Sequence, residues 1–159
     1  MKIRAIIFAS CAVAMMAATS SVHAGQCEGF SSRKYEKPVV IKKSKDGSKV
    51  LHISSTGVTN QTAPSKNTSW QHCTGFWNLN ADKSGSGSGN CLAMDTNGDQ
   101  RILLWEGSAA KGKKSSGTWK KISGTGKYAS GGQVKGTWKS GLRFADGHRI
   151  TDWTGECAD

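Results

Sequence analysis

The chain has 159 residues, room for one domain, and its 22 basic against 11 acidic residues give a formal charge of +11. Past the N-terminus no apolar run approaches the roughly 20 residues that a bilayer-spanning helix needs, which excludes a helical membrane domain from the mature chain. The lysines are scattered through turns and strands, densest at Lys111, Lys113 and Lys114, so the charge speaks for solubility or an anionic envelope surface rather than for a fold.

Lys2 and Arg4 precede an apolar run over 5–18, and Val22-His23-Ala24 then offers a small-residue cleavage site. That layout is a secretory signal peptide over 1–24, leaving 25–159 as a single domain in the periplasm or outside the cell. Cys11 leaves with the leader. Cys27, Cys73, Cys91 and Cys157 remain, an even number in an oxidising compartment, and predict two disulfides with three possible connectivities. Cys27–Cys157, tying the ends of the domain, and Cys73–Cys91, clipping neighbouring strands, are the preferred pairs. None of the four has the CxxC spacing of a zinc site, and no cofactor is expected.

The mature chain lacks helical periodicity and reads as short strands. The segment 38–41 runs to the turn Asp46-Gly47 and returns as 49–53, with Leu51 and Ile53 on one face and Val50 and His52 on the other. The polar stretch 56–66 reads as a long loop. A strand over 69–79 carries Trp70, Phe76 and Trp77, and the Ser-Gly run 84–89 reads as a flexible loop. Strands over 91–95 and 101–106 flank Asn97-Gly98, and Ile102-Leu103-Leu104-Trp105 suggests packing on two faces. Strands over 118–122, 133–138, 142–144 and 149–155 follow, with Asp146-Gly147 as another tight turn. Trp119 and Ile122 have opposite parity, so one points outward or a bulge intervenes. Short strands with turns at such intervals predict an antiparallel sandwich or barrel.

Few residues carry recognisable chemistry. His52, within an apolar strand, is the candidate general base, although no sequence neighbour completes a dyad. His72 adjoins Cys73, His148 sits in a turn, and Glu106 and Asp152 are conceivable strand-end carboxylates with nothing pairing them. Asp95, Asn97 and Asp99 have the alternate spacing of calcium ligands but lack the following Gly and Glu of a calcium loop; an Asn-Gly hairpin explains them as well. All six tryptophans lie past the leader; Trp70, Trp105 and Trp119 are the candidate ligand-binding residues, with bulky core filler as the competing reading. No basic groove motif accompanies them, so a specific nucleic-acid partner is not expected.

Gly117-Thr118-Trp119, then Ile122-Ser123-Gly124-Thr125-Gly126-Lys127-Tyr128-Ala129, then Gly136-Thr137-Trp138, form a sequence of turns that resembles small secreted bacterial proteins of the allene oxide cyclase/dirigent-like barrel group. The late Asp146-Gly147 and Trp153-Thr154-Gly155, with Gly89-Asn90-Cys91 and the acidic turn at 95–99, extend the likeness across most of 48–157. The resemblance implies a single eight-stranded antiparallel meander barrel with an interior cavity. It transfers no catalytic residues, and a fold alone does not license a function. The expected function is a non-catalytic barrel that binds a small apolar or amphipathic ligand or a partner. The alternatives are a small cyclase or isomerase using His52 and Tyr128 on a hydrophobic substrate, and a structural surface protein.

Overall fold

The computed structural model describes residues 25–129 and 134–157; the expected signal peptide lies outside them. Nine strands run in chain order: β1 Gly25–Tyr35, β2 Val39–Lys43, β3 Lys49–Ala63, β4 Asn67–Leu79, β5 Gly85–Asp95, β6 Gln100–Ala109, β7 Ser116–Gly124, β8 Lys135–Arg143 and β9 His148–Cys157. From β3 to β9 each strand pairs antiparallel with the next, and β1 closes the circle by pairing with both β9 and β3. The result is a closed eight-stranded antiparallel barrel, and closure leaves those eight strands without a free edge.

The ninth strand is a consequence of Pro38. β1 and β2 lie one after the other along β3, from Glu28↔Ala63 to Tyr35↔Ser55 and then from Val39↔His52 to Lys43↔Lys49. Glu36 still donates its N–H to the Ser54 carbonyl (3.0 Å), but Pro38 has no N–H with which to continue the ladder. Beyond it the chain keeps β3 as its neighbour and leaves β9. The edge strand so formed exposes Val39, Val40 and Ile41 by more than half, and Lys37, Lys42, Lys43 and Lys45 place charge beside them, which discourages edge-to-edge pairing.

Turn chemistry sets the registers. Asp46, Asp82, Asp95 and Asp146 each accept, through Oδ1, the backbone N–H two residues on. Gly47, Gly98 and Gly147 sit at φ near +90°, where a Cβ would be strained.

Two expected loops are strand. Within the polar segment 56–66, residues 56–63 form the second half of β3, whose residues from Thr56 to Gln61 pair with β4 from His72 to Asn67, and only 64–66 is a connection. The Ser-Gly run lies in β5, where Gly85 to Gly89 pair with Leu79 to Gly75. Its inward glycines have a packing reason. The indole of Trp105 lies across Gly75 and Gly89, so a Cβ on Gly75 would stand 2.5 Å from Trp105 Cζ2 and against the Ser88 carbonyl oxygen. Gly75→Ala should therefore lower stability by about 1–3 kcal/mol, the usual effect of overpacking, seen as a reduced urea midpoint at unchanged slope. An unchanged midpoint would mean that the indole does not rest there.

The expectation of two-faced packing at 102–105 is also corrected. Leu103 and Trp105 point into the barrel, whereas Ile102 on the outer wall is 38% exposed. Across the outer wall Val58, Trp70 and Met94 stand in one cross-strand row, and His72, Leu92 and Ile102 in the next. The parity conflict at 119–122 resolves as a bulge: Ile102 pairs with Ser123 and Leu103 with Lys121, leaving Ile122 unpaired and half exposed.

The buried side chains among the described residues are largely polar: Ser31, Ser55, Thr59, Gln61, Ser69, Gln71, Asp95 and Thr151, with Ala93 and three cysteines. Thr59 Oγ1 links two of them to the aromatic interior, bonding Ser31 Oγ at 2.7 Å and accepting from Trp153 Nε1 at 3.1 Å. Cys73 and Cys91 face each other across β4 and β5 and are disulfide-bonded. Cys27 is disulfide-bonded too; Cys157, its expected mate, ends the neighbouring strand, with its side chain outside the described residues.

Candidate functional site

The barrel is not filled. A cavity of about 610 Å³ occupies its interior, within the 300–1,000 Å³ range usual for ligand sites. Its lining reaches Lys37, Lys83, Lys113 and Gly147, which belong to the connections β1–β2, β4–β5, β6–β7 and β8–β9. A meander puts all four at one end, so the mouth is there. Toward the other end, Ser69, Asp95, Gln61 and Cys27 are buried and form a packed base.

Five of the six tryptophans line the cavity. Trp77 and Trp105 stack with centroids 6.2 Å apart, and Trp119 meets Trp153 edge-on at 6.0 Å. Trp138 and Trp153 satisfy their indole N–H groups on protein oxygens, but Trp105 Nε1 and Trp119 Nε1 are buried without a hydrogen-bond partner among the described residues. The same holds for Gln71 Oε1 and for the Nε of Arg33, Arg101 and Arg149. Buried polar atoms usually have partners, so these atoms, contributed by β1, β4, β6, β7 and β9, give the interior polar groups free to meet a ligand.

The arginines are the residues that sequence reading missed. Arg33 on β1 is the cross-strand partner of Arg149 on β9, and Arg149 is the partner of Arg143 on β8. Like charges directly opposite on neighbouring strands repel. Arg33 and Arg149 converge on the Tyr35 ring, at 5.8 and 4.5 Å from its centroid, and Arg33 Nη1 also donates to Cys73 Sγ at 2.7 Å. Burial holds the Arg149 guanidinium below its ordinary pKa; Tyr35 opposes the shift, and the charges of Arg143 and Arg33 add to it. Arg101, farther down, lies over the Tyr128 ring at 4.9 Å and is lowered by burial. Among the described residues the lining carries seven lysine and arginine side chains and a single carboxylate, Glu36.

The sequence-nominated residues are spread over three places. Trp105 and Trp119 line the cavity. Trp70 is on the outer wall, 43% exposed and stacked on His72. His52 also faces outward: its Nε2 pairs with Thr74 Oγ1 at 2.8 Å and its ring leans on Phe76, while Leu51 and Ile53 face the cavity. Tyr128 sits at the base, donating to Asp95 Oδ2 (3.2 Å) and accepting from Asn67 Nδ2 (3.0 Å). His52 and Tyr128 do not meet. Glu106 and Asp152 occupy outward-facing positions on β6 and β9, and His148 bonds Asp146 in its turn.

Asp95 is occupied by its own turn. Oδ1 accepts the N–H groups of Asn97 and Asp99, and Oδ2 takes the Lys127 ammonium at 2.6 Å. Asp99 bonds the Lys127 N–H instead of turning toward a common centre with Asp95. Among the described residues no three such side chains are grouped to hold a metal. Lys127, aided by the two backbone N–H groups, holds the Asp95 carboxyl below the usual carboxylate range; Asp95 in turn raises Lys127. A lowered carboxyl stabilises the fold above its unfolded pKa of about 3.9 and stops doing so as pH falls through the native value. The raised lysine contributes below its unfolded value of about 10.4 and loses that contribution as pH rises through the native one. Urea midpoints should therefore fall below about pH 4, and Asp95→Asn should lower the neutral plateau while flattening that acid limb. An acid limb of unchanged size in the variant would assign it to other carboxylates.

No helix among the described residues is long and apolar enough to cross a membrane. Compared with protein-family models, with curated proteins and with solved structures, the chain matches none of them.

Proposed function

We propose that this is an exported, non-catalytic binding protein that holds a small amphipathic ligand inside its barrel. The observation that carries the reading is the 610 Å³ cavity, lined by five indoles and edged with polar atoms that lack partners. Apolar walls with a few directed polar groups are the ordinary composition of a ligand site. Export is supported by the N-terminal leader pattern and by the Cys73–Cys91 disulfide, which is at home in an oxidising compartment; a Cys27–Cys157 bridge belongs to the same proposal. Kinship with the allene oxide cyclase/dirigent-like barrels is supported by the strand number and the closed meander.

A cyclase or isomerase would need an acid or base beside the substrate. His52 and Tyr128 are absent from the cavity lining, and its single carboxylate, Glu36, is at the mouth. The apolar rows on the outer wall favour a second reading, a protein partner docked on β3–β6.

Native mass spectrometry of protein isolated from its own envelope tests the first reading. A retained small-molecule adduct, released on denaturation, is expected. Bare protein in repeated preparations would contradict it.

A further inference from the structure

The ligand's polar end follows from the arginines, on the reading that the cavity is a binding site. Cross-strand neighbours Arg33, Arg149 and Arg143 bring three guanidinium groups to the upper barrel, and two of them share the Tyr35 ring. A row of like charges that is partly withdrawn from water is costly unless counter-charges answer it. The ion pairs among the described residues are Lys127–Asp95 and His148–Asp146, and neither reaches this row. The neighbours that do reach it are a tyrosine ring and a disulfide sulfur. Arg101 differs: Tyr128 acts favourably on its charge as Tyr35 does on Arg149, but Arg101 also has the Asp95 carboxylate acting on it. The unsatisfied Nε atoms of Arg33 and Arg149 add hydrogen-bond donors to the charge, a combination suited to the planar oxygens of a carboxylate or to a phosphate or sulfate. The indoles of Trp105, Trp119 and Trp153, set farther along their strands from the mouth, and that of Trp77, stacked on Trp105, offer an apolar chamber.

We infer that the barrel binds an amphipathic anion, with its anionic head on Arg33 and Arg149 near the mouth and its apolar body among the tryptophans. A neutral apolar ligand would leave the arginine row unanswered. A small inorganic anion would leave the indole chamber unused. Lys37, Lys83 and Lys113 around the mouth would draw anions toward the entrance, an effect that weakens with salt.

The test is titration calorimetry, with intrinsic tryptophan fluorescence as a second readout, using decanoate and 1-decanol, which differ in the head group. Decanoate should bind at least tenfold more tightly than decanol, and Arg149→Met should remove most of that difference while leaving decanol binding in place. Lys139→Met, which removes an exposed charge from the outer wall, should leave the preference unaltered. Arg149→Met should also melt no lower than the parent without ligand, because it relieves like-charge repulsion. Equal affinity for the two ligands in the parent protein would overturn the anion inference while preserving the cavity reading. Binding of neither would overturn both. Should Arg149→Met fail to fold, Arg33→Met and the parent comparison decide the same question.

Discussion

Replacing Trp105 with alanine is expected to lower the free energy of unfolding by about 3 kcal/mol, at the low end for loss of a large aromatic side chain. The indole is held between strands: it stacks on Trp77 and covers Gly75 on β4 and Gly89 on β5. Glycine neighbours have no side chains with which to fill the space, and the backbone of a closed barrel cannot collapse into it. The cavity therefore grows. A drop of roughly 10 °C in melting temperature should accompany the change, together with loss of the near-ultraviolet circular dichroism of the Trp77–Trp105 pair. Trp70→Ala, on the outer wall, should move stability far less. Equal effects from the two substitutions would contradict the assignment of Trp105 to the interior.

Removing the Cys73–Cys91 bridge should have a comparable effect. The disulfide closes the β4–β5 hairpin over a sequence separation of 18, and a loop of that length corresponds to about 3 kcal/mol in the chain-entropy description. The enclosed segment contains Gly85, Gly87 and Gly89, which give the unfolded hairpin unusual freedom and so increase what a cross-link restrains. The double variant Cys73→Ala/Cys91→Ala avoids leaving a lone thiol. Its urea midpoint should fall well below that of the parent, and reducing agent should then shift it less than it shifts the parent. A midpoint equal to the parent's would show that strand pairing alone holds β4 against β5.

The turns were legible in the sequence and the strands between them only partly. Asp46-Gly47, Asn97-Gly98 and Asp146-Gly147 were read correctly because a positive φ beside a carboxylate or amide has few other uses. The alternation at Leu51/Ile53 against Val50/His52 was also correct. What misled the reading of 56–66 and 84–89 was the character of the interior. Inward positions there hold Gly57, Thr59, Gln61, Gly85, Gly87 and Gly89, whereas several outward positions hold Val58, Trp70, Leu92, Met94 and Ile102. A strand whose small or polar residues face inward does not show the period-two hydrophobic signal. β1, with Ser31 and Arg33 facing in, was missed for the same reason. The glycines of the Ser-Gly run resemble linker chemistry until the indoles that rest on them are known, and that pairing joins residues far apart in the chain.

The site was less legible than the fold. Trp105 and Trp119 line the cavity as their aromatic character suggests, but Trp70 carries the same side chain at an outward position. His52 stood out because it interrupts an apolar strand, yet the interruption lies on the outer wall, where Thr74 and Phe76 receive it. The arginine row gave no local signal at all. Arg33, Arg143 and Arg149 become neighbours through the closure of β1 on β9 and the pairing of β8 with β9.

Everything functional depends on ligands entering the barrel instead of coating its wall. Nuclear magnetic resonance of the indole N–H groups during titration with decanoate measures this most directly, since Trp105 and Trp119 report on the interior and Trp70 on the outer face. Saturable shifts of the Trp105 and Trp119 signals, with Trp70 unmoved, are expected. Shifts confined to Trp70 would place binding on the outside and contradict the cavity as the site.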